Sequence, residues 1–264
     1  MVDCPITVVD RGTITADTNA ILDGFVTATA SEPNPDLHRG EGVVFNLVLD
    51  HPEATILWDS GSHPEAADGH WPDGLYEAFT HDDPRPIEED LDSVGYSVND
   101  VDLVIQSHLH LDHAGGLYAF AGTEVPIVVH EAELKHAYYS ALTDEPDADE
   151  AYVREDFDHD LNWEVVHGRR HTLFEDLELH HLPGHTAGLL GTFVDREEPV
   201  LLAGDQAYVG ANYEAGWSMG AGLLYSNRDW HESMERCREL ERRHGARVVY
   251  GHDADQIEEL GETF

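Results

Sequence analysis

Apolar residues along this chain fall into short runs of strand length, interrupted by stretches with helical spacing. Residues 43–49 and 55–58 are apolar runs separated by Asp50-His51-Pro52-Glu53, which predicts a β-hairpin, and residues 6–10 read as a shorter strand before it. Residues 63–92 are rich in Pro, Asp and His; helices are predicted near 75–79 and 87–94, and the segment reads as an insertion or edge element. A buried-type strand at 101–106 leads into a His-rich segment. It is followed by a short helix at 114–120, a strand at 126–129, a helix at 131–142 and an acidic surface loop at 144–150. The second half returns to strands at 163–166, 177–182, 189–194 and 200–203. In the helix predicted at 229–243, Trp230, Met234, Cys237 and Leu240 share one face. Gly245 is its expected C-cap, and a strand at 247–250 and a short helix from Asp255 end the pattern. Strands thus come in two groups, each followed by helices, with no linker or repeat between them, which predicts a single α/β domain over residues 1–264.

Composition adds a constraint on conditions. The chain of 264 residues carries 54 acidic and 14 basic side chains, a net charge of −40. Only Lys135 among the basic residues is lysine. Such charge repels itself in dilute buffer and is screened in concentrated salt, so a halophilic protein is expected. The same balance excludes nucleic acid as a partner, because phosphate binding needs Lys and Arg clusters. Arg236, Arg238, Arg242 and Arg243 alternate with Glu235, Glu239 and Glu241, which reads as an ion-paired helix face. Cys4 and Cys237 make no disulfide framework and no cysteine-rich metal site. The first residues lack a basic and apolar leader, and no apolar run approaches the ~18 residues that span a bilayer. A cytoplasmic protein with no membrane partner is expected.

Chemistry concentrates in His108-Leu109-His110-Leu111-Asp112-His113, four metal-ligand side chains in six residues directly after a buried strand. In extended chain His108 and His110 point the same way and can grip one ion. Asp112 and His113 follow once the chain turns, and can face a neighbouring ion. Imidazole and carboxylate suit zinc and similar divalent metals. Burying three histidines and an aspartate at one strand end without a metal would leave several polar groups to satisfy.

This motif resembles the HxHxDH signature of the metallo-β-lactamase superfamily, and further segments follow in the family's order. Pro183-Gly184-His185-Thr186-Ala187-Gly188 is similar to its PGHTxG segment, Gly204-Asp205 to the segment with a bridging carboxylate, Gly251-His252 to its last ligand, and Asp59-Ser60-Gly61 to a DTG-like turn. The resemblance implies an αββα sandwich of two mixed sheets flanked by helices. It assigns His108, His110 and His185 to a first metal, Asp112, His113 and His252 to a second, Asp205 to the bridge, and Asp59 to the orientation of a ligand. Zinc is the default ion, with cobalt, manganese or iron able to use the same ligands. Two such metals share a hydroxide and polarise a substrate oxygen.

Within the superfamily the finer resemblance is to the quorum-quenching N-acyl-homoserine lactonases. His108–Gly116 reads HLHLDHAGG, Leu161-Asn162-Trp163 resembles an LNY segment, and Gly251-His252-Asp253 with Gln256 resembles a GHDxxQ ending. Tyr208 lies three residues after Asp205, where those enzymes carry a tyrosine that contacts the substrate carbonyl. The resemblance implies attack on the ester carbonyl of a small lactone, with Tyr208 stabilising the oxyanion and Asp112 moving the proton. A thioester hydrolase of glyoxalase-II type, or another esterase of this fold, is the alternative. A homodimer is left open. Gly220-Ala221-Gly222-Leu223-Leu224 is a candidate acyl-binding wall.

Overall fold

In the computed structural model, which describes residues 2–143 and 151–264, twelve strands form two sheets. They are β1 (Ile6–Asp17), β2 (Arg39–His51), β3 (Ala54–Trp58), β4 (Thr80–Asp82), β5 (Leu103–Ile105), β6 (Pro126–His130), β7 (Asn162–Val166), β8 (Arg170–Phe174), β9 (Leu177–His181), β10 (Leu190–Val194), β11 (Val200–Gly204) and β12 (Arg247–Tyr250). The first sheet runs β4-β1-β2-β3-β5-β6-β7 and the second β12-β11-β10-β9-β8. Both are mixed: β3, β5, β6 and β7 are mutually parallel, as are β11 and β12, while the remaining pairs are antiparallel.

Side-chain alternation explains why the apolar runs are nearly continuous. On β2 and β3, Phe45, Leu47, Leu49, Ile56 and Trp58 face inward and meet Leu177, Leu179, Leu190, Val194 and Leu202 of the other sheet. Val48 and Leu57 point the opposite way, onto Ile87, Leu91, Leu117 and Phe120 of the outer helices. A strand buried on both faces has no polar positions to spare. The second sheet is covered on its outside by the helix Asn227–His244, through Trp230, Met234 and Cys237. Ser226 caps the start of that helix, and Gly245, at φ 66°, ends it. The result is the expected αββα sandwich. No helix among the described residues is long and apolar enough to cross a membrane.

Several expectations change. β1 continues to Asp17 across a register shift between Asp10 and Thr13. The segment 63–92 is not a bare insertion. It holds the helix Asp73–Ala78, then β4, then the helix Ile87–Ser93, and it packs Trp71 and Leu75 against Leu111 of the His-rich motif. The helix expected at 114–120 is instead two short turns, Leu111–Ala114 and Leu117–Phe120, parted at Gly115-Gly116. Backbone crosses backbone there: a Cβ on Gly115 would lie 2.2 Å from the His63 nitrogen, and one on Gly116 2.3 Å from the Ser60 carbonyl oxygen. The acidic loop 144–150 lies outside the described residues.

Candidate metal centre

The parallel pairs β3–β5 and β11–β12 end at the same edge of the sandwich, and the motif residues sit just beyond those ends. Asp59 follows β3, His108 and His110 follow β5, Asp205 follows β11 and His252 follows β12, while His185 sits on the loop between β9 and β10. His110 caps the turn Leu111–Ala114, so Asp112 and His113 leave from a helical turn and not from extended chain. All seven candidate ligands are buried. Ligand atoms of His108, His110 and His185 lie within 4.8 Å of one another, as do those of Asp112, His113 and His252, and those of His108, His113 and Asp205.

Asp205 lies between the two triads. Its Oδ2 is 3.5 Å from His185 Nε2 and 3.8 Å from His108 Nε2. Its Oδ1 is 3.4 Å from His113 Nε2 and 3.3 Å from His252 Nε2. Asp112 Oδ2 is 3.7 Å from His113 Nε2 and 3.6 Å from His252 Nε2.

The far nitrogen of most of these rings is engaged, which fixes the nitrogen that faces the centre. His113 Nδ1 donates to Asp59 Oδ2 at 2.9 Å, His185 Nδ1 to the Leu223 carbonyl at 2.7 Å, and His252 Nδ1 to the Val43 carbonyl at 2.8 Å. His108 Nδ1 lies 3.0 Å from Ser107 Oγ, whose hydroxyl also donates to Asp59 at 2.7 Å. Asp59 itself sits in the left-handed region at φ 59°, a conformation that Asp tolerates better than most residues. Its Oδ1 accepts the Ser107 N–H at 2.7 Å.

These residues fit a pair of cations. His108 Nε2, His113 Nε2 and Asp205 Oδ1 are buried with no hydrogen-bond partner among the described residues, an arrangement that costs free energy unless a metal takes the lone pairs. The electrostatics agree. Burial opposes charge on His113 and His252, yet the Asp205 and Asp112 carboxylates outweigh it and hold both rings above the ordinary histidine range. Burial pushes Asp205 up, but His252 and His113 hold it well below the carboxylate range. His108, buried and beside His113, falls well below its ordinary value. The centre therefore favours positive charge, most of all between Asp112, Asp205, His113 and His252.

The family model for the metallo-beta-lactamase superfamily matches residues 39–252. The chain belongs to the metallo-β-lactamase superfamily. It is 33% identical over 244 residues to an N-acyl homoserine lactonase of a Bacillus species, covering 86% of this chain and 88% of that one. It is 28% identical over 266 residues to the N-acyl homoserine lactonase AiiB of Agrobacterium fabrum, covering 96% and 95%. A solved N-acyl homoserine lactone hydrolase, with the product N-hexanoyl-L-homoserine bound at its catalytic metal centre, superposes with a TM-score of 0.79 at 25% identity, over 97% of this chain and 96% of that one. With its ligand-type side chains all in place, this member of the superfamily is a metal-dependent hydrolase.

Tyr208 stands beside the triads, its ring centroid 4.4 Å from that of His252 and 5.8 Å from that of His185. Ile14, Ile21, Phe79 and Val209 line a small apolar pocket that ends on Tyr208 and His252. The stretch 220–224, expected as an acyl wall, includes a 3-10 turn at Ala221–Leu223 that presents the Leu223 carbonyl to His185. Sequence reasoning missed Glu133. This buried carboxylate accepts Leu109 N–H at 2.9 Å and Tyr152 O–H at 2.8 Å on Oε1, and Thr186 O–H at 2.7 Å and Gly188 N–H at 3.0 Å on Oε2. The signal was available: Glu133, Ala137 and Ser140 recur at i, i+4 and i+7 and form the buried stripe of the helix Glu131–Leu142.

Proposed function

We propose that this protein opens the ring of N-acyl homoserine lactones, using two divalent ions, zinc by default, held by His108, His110 and His185 on one side and Asp112, His113 and His252 on the other, with Asp205 between. The observation that carries the reading is the Asp205 carboxylate between the triads: its Oδ2 lies within 4 Å of His108 and His185, its Oδ1 3.4 Å from His113, and both oxygens 3.3 Å from His252. The lactonase relatives support the substrate class. Two ions held there would polarise an ester carbonyl and bring the pKa of water near 7, so that no serine or cysteine nucleophile is needed.

The chain's own residues supply the rest. The Tyr208 hydroxyl donates to the carbonyl oxygen as it gains charge. Asp112 turns Oδ2 toward His113 and His252, and its carboxylate would take the proton that the attacking water gives up and return it to the ring oxygen as the C–O bond breaks. Ile14, Ile21, Phe79 and Val209 beside Tyr208 offer apolar side chains that the non-reacting part of the substrate would meet.

The test is proton release in multimolar salt with metal-loaded protein and a panel of acyl-homoserine lactones, simple lactones and thioesters. Opening of the homoserine lactones, lost in His110→Ala and lowered about 10²-fold in Tyr208→Phe with metal content unchanged, is the expected result. Thioester cleavage without lactone cleavage would move the protein to the glyoxalase-II-like alternative.

A further inference from the structure

Two buried carboxylates outside the ligand set, Asp59 and Glu133, reach the loops that carry several of the ligands. Asp59 touches His113 directly and Ser107 beside His108. Glu133 touches no candidate ligand, yet its two oxygens serve two different loops. Oε1 holds the backbone between His108 and His110, together with Tyr152, whose ring centroid is 4.6 Å from that of His110. Oε2 holds Thr186 and Gly188, on the loop of His185. The contact is backbone-close: a Cβ on Gly188 would lie 2.1 Å from the Glu133 nitrogen. Four donors aim at one carboxylate with no exposed surface. Leu109 stands in the motif between His108 and His110, ahead of the turn that carries Asp112 and His113, and none of the four donors belongs to the segments of Asp205 or His252.

We propose that Glu133 is the positioning residue of the first metal position: by joining the 108–110 and 185–188 segments it sets the spacing of His108, His110 and His185, and so the affinity of that position alone. This rests on the two-metal reading above. The geometry makes the effect selective. Glutamine in place of Glu133 has the same shape but one acceptor oxygen, so in either orientation an NH2 group faces two of the donors. One loop is then released from the other. Positioning partners of this kind typically alter metal affinity about 10- to 100-fold.

The experiment is stepwise titration of metal-free protein with Zn2+ against a chromophoric chelator, and with Co2+ followed by its visible absorption. Wild type, Glu133→Gln and, as a control on the same helix, Glu131→Gln, whose half-buried carboxylate faces Lys135 and His167 instead of the ligand loops, are compared in one salt. Wild type binding two equivalents is the premise; fewer would overturn the two-metal reading, and this proposal with it. Given two, Glu133→Gln should keep one equivalent at wild-type affinity and weaken the other about 10- to 100-fold, with Glu131→Gln unchanged. The retained equivalent should vanish on adding His252→Ala and survive adding His110→Ala. Two equivalents at unchanged affinity in Glu133→Gln, or both weakened alike, overturns the proposal. Should Glu133→Gln fail to fold by circular dichroism, Thr186→Val removes one of the four donors while leaving the carboxylate. It is then read by the same criterion: a loss confined to the His110-dependent equivalent supports the assignment, and no loss or a loss shared by both sites overturns it.

Discussion

The ligand histidines and His81 show opposite uses of a buried imidazole. His108, His113, His185 and His252 each have a neighbour that fixes the ring and the Asp205 carboxylate within 4 Å. His81, on β4 opposite Ile14, is 2% exposed, and neither of its ring nitrogens has a hydrogen-bond partner among the described residues. Burial pushes its pKa down to about 4, with the Asp112 carboxylate working against the shift and Arg11 adding to it. In the unfolded chain the same ring titrates near 6.5. Between those values the unfolded chain binds a proton that the folded protein refuses, so the stability carried by neutral His81 is whole above about pH 6.5 and is lost as pH falls toward 4. The size follows from roughly 1.4 kcal/mol per unit, or about 2–3 kcal/mol by pH 4.5. Urea unfolding of wild type and His81→Phe at fixed salt should give profiles that separate by that amount on going from pH 7.5 to 4.5, the wild type falling faster. Parallel profiles would mean that His81 takes up its proton as easily folded as unfolded.

At the scale of elements, what the sequence made legible and what it hid have physical causes. The β2–β3 hairpin and the helices Glu131–Leu142 and Asn227–His244 stand out because burial on one or both faces leaves a periodic apolar signal. The ligand motifs stand out because their donor side chains cluster at strand ends. β4 and β8 do not: Thr80-His81-Asp82 and Arg170–Phe174 are edge strands, polar and short, fixed by pairing with β1 and β9 and not by propensity of their own. Glu133 left only its place on the buried stripe with Ala137 and Ser140, and its role was not legible for a different reason. Acidic residues are ordinary in a helix's first turn, and only the crossing of the 185–188 loop makes this one a junction. Glycine behaviour separates the two situations. Gly188→Ala must push the loop off the helix and should lower the unfolding midpoint, by about 1–3 kcal/mol in free energy. Gly74→Ala, in the helix Asp73–Ala78 with nothing within 4 Å of the added Cβ, should raise it by about 0.4–1 kcal/mol. Paired thermal melts check both, and equal effects of the two substitutions would remove the crossing as the reason for glycine at 188.

For the whole molecule the governing quantity is charge. Among the described residues only Asp59, Asp90, Asp112, Glu133, Asp156 and Asp205 are buried acids. The other described acids lie partly or fully at the surface, and 14 basic side chains cannot neutralise 54 acidic ones. Some cations are also spent inside: Arg11, 1% exposed, pairs with Asp90, while its other arm donates to the Ser62 carbonyl at 3.1 Å. Surface carboxylates therefore repel across the whole molecule, and folding gathers that charge into a smaller volume. Salt should stabilise the fold, and the shape of the dependence identifies the cause. The Debye length is about 10 Å at 0.1 M and about 3 Å at 1 M, so relief by screening should be largely complete near 1 M. Stabilisation that keeps rising in the multimolar range comes instead from salts excluded from the surface, which strengthen burial of the two sheets' shared core. The unfolding midpoint, followed from 0.05 to 4 M KCl beside matched sucrose, separates these. A steep rise below 1 M in KCl, against only the gradual rise that an excluded solute gives in sucrose, is the expected result, and a midpoint indifferent to salt would show that the acidic surface imposes no requirement on this fold.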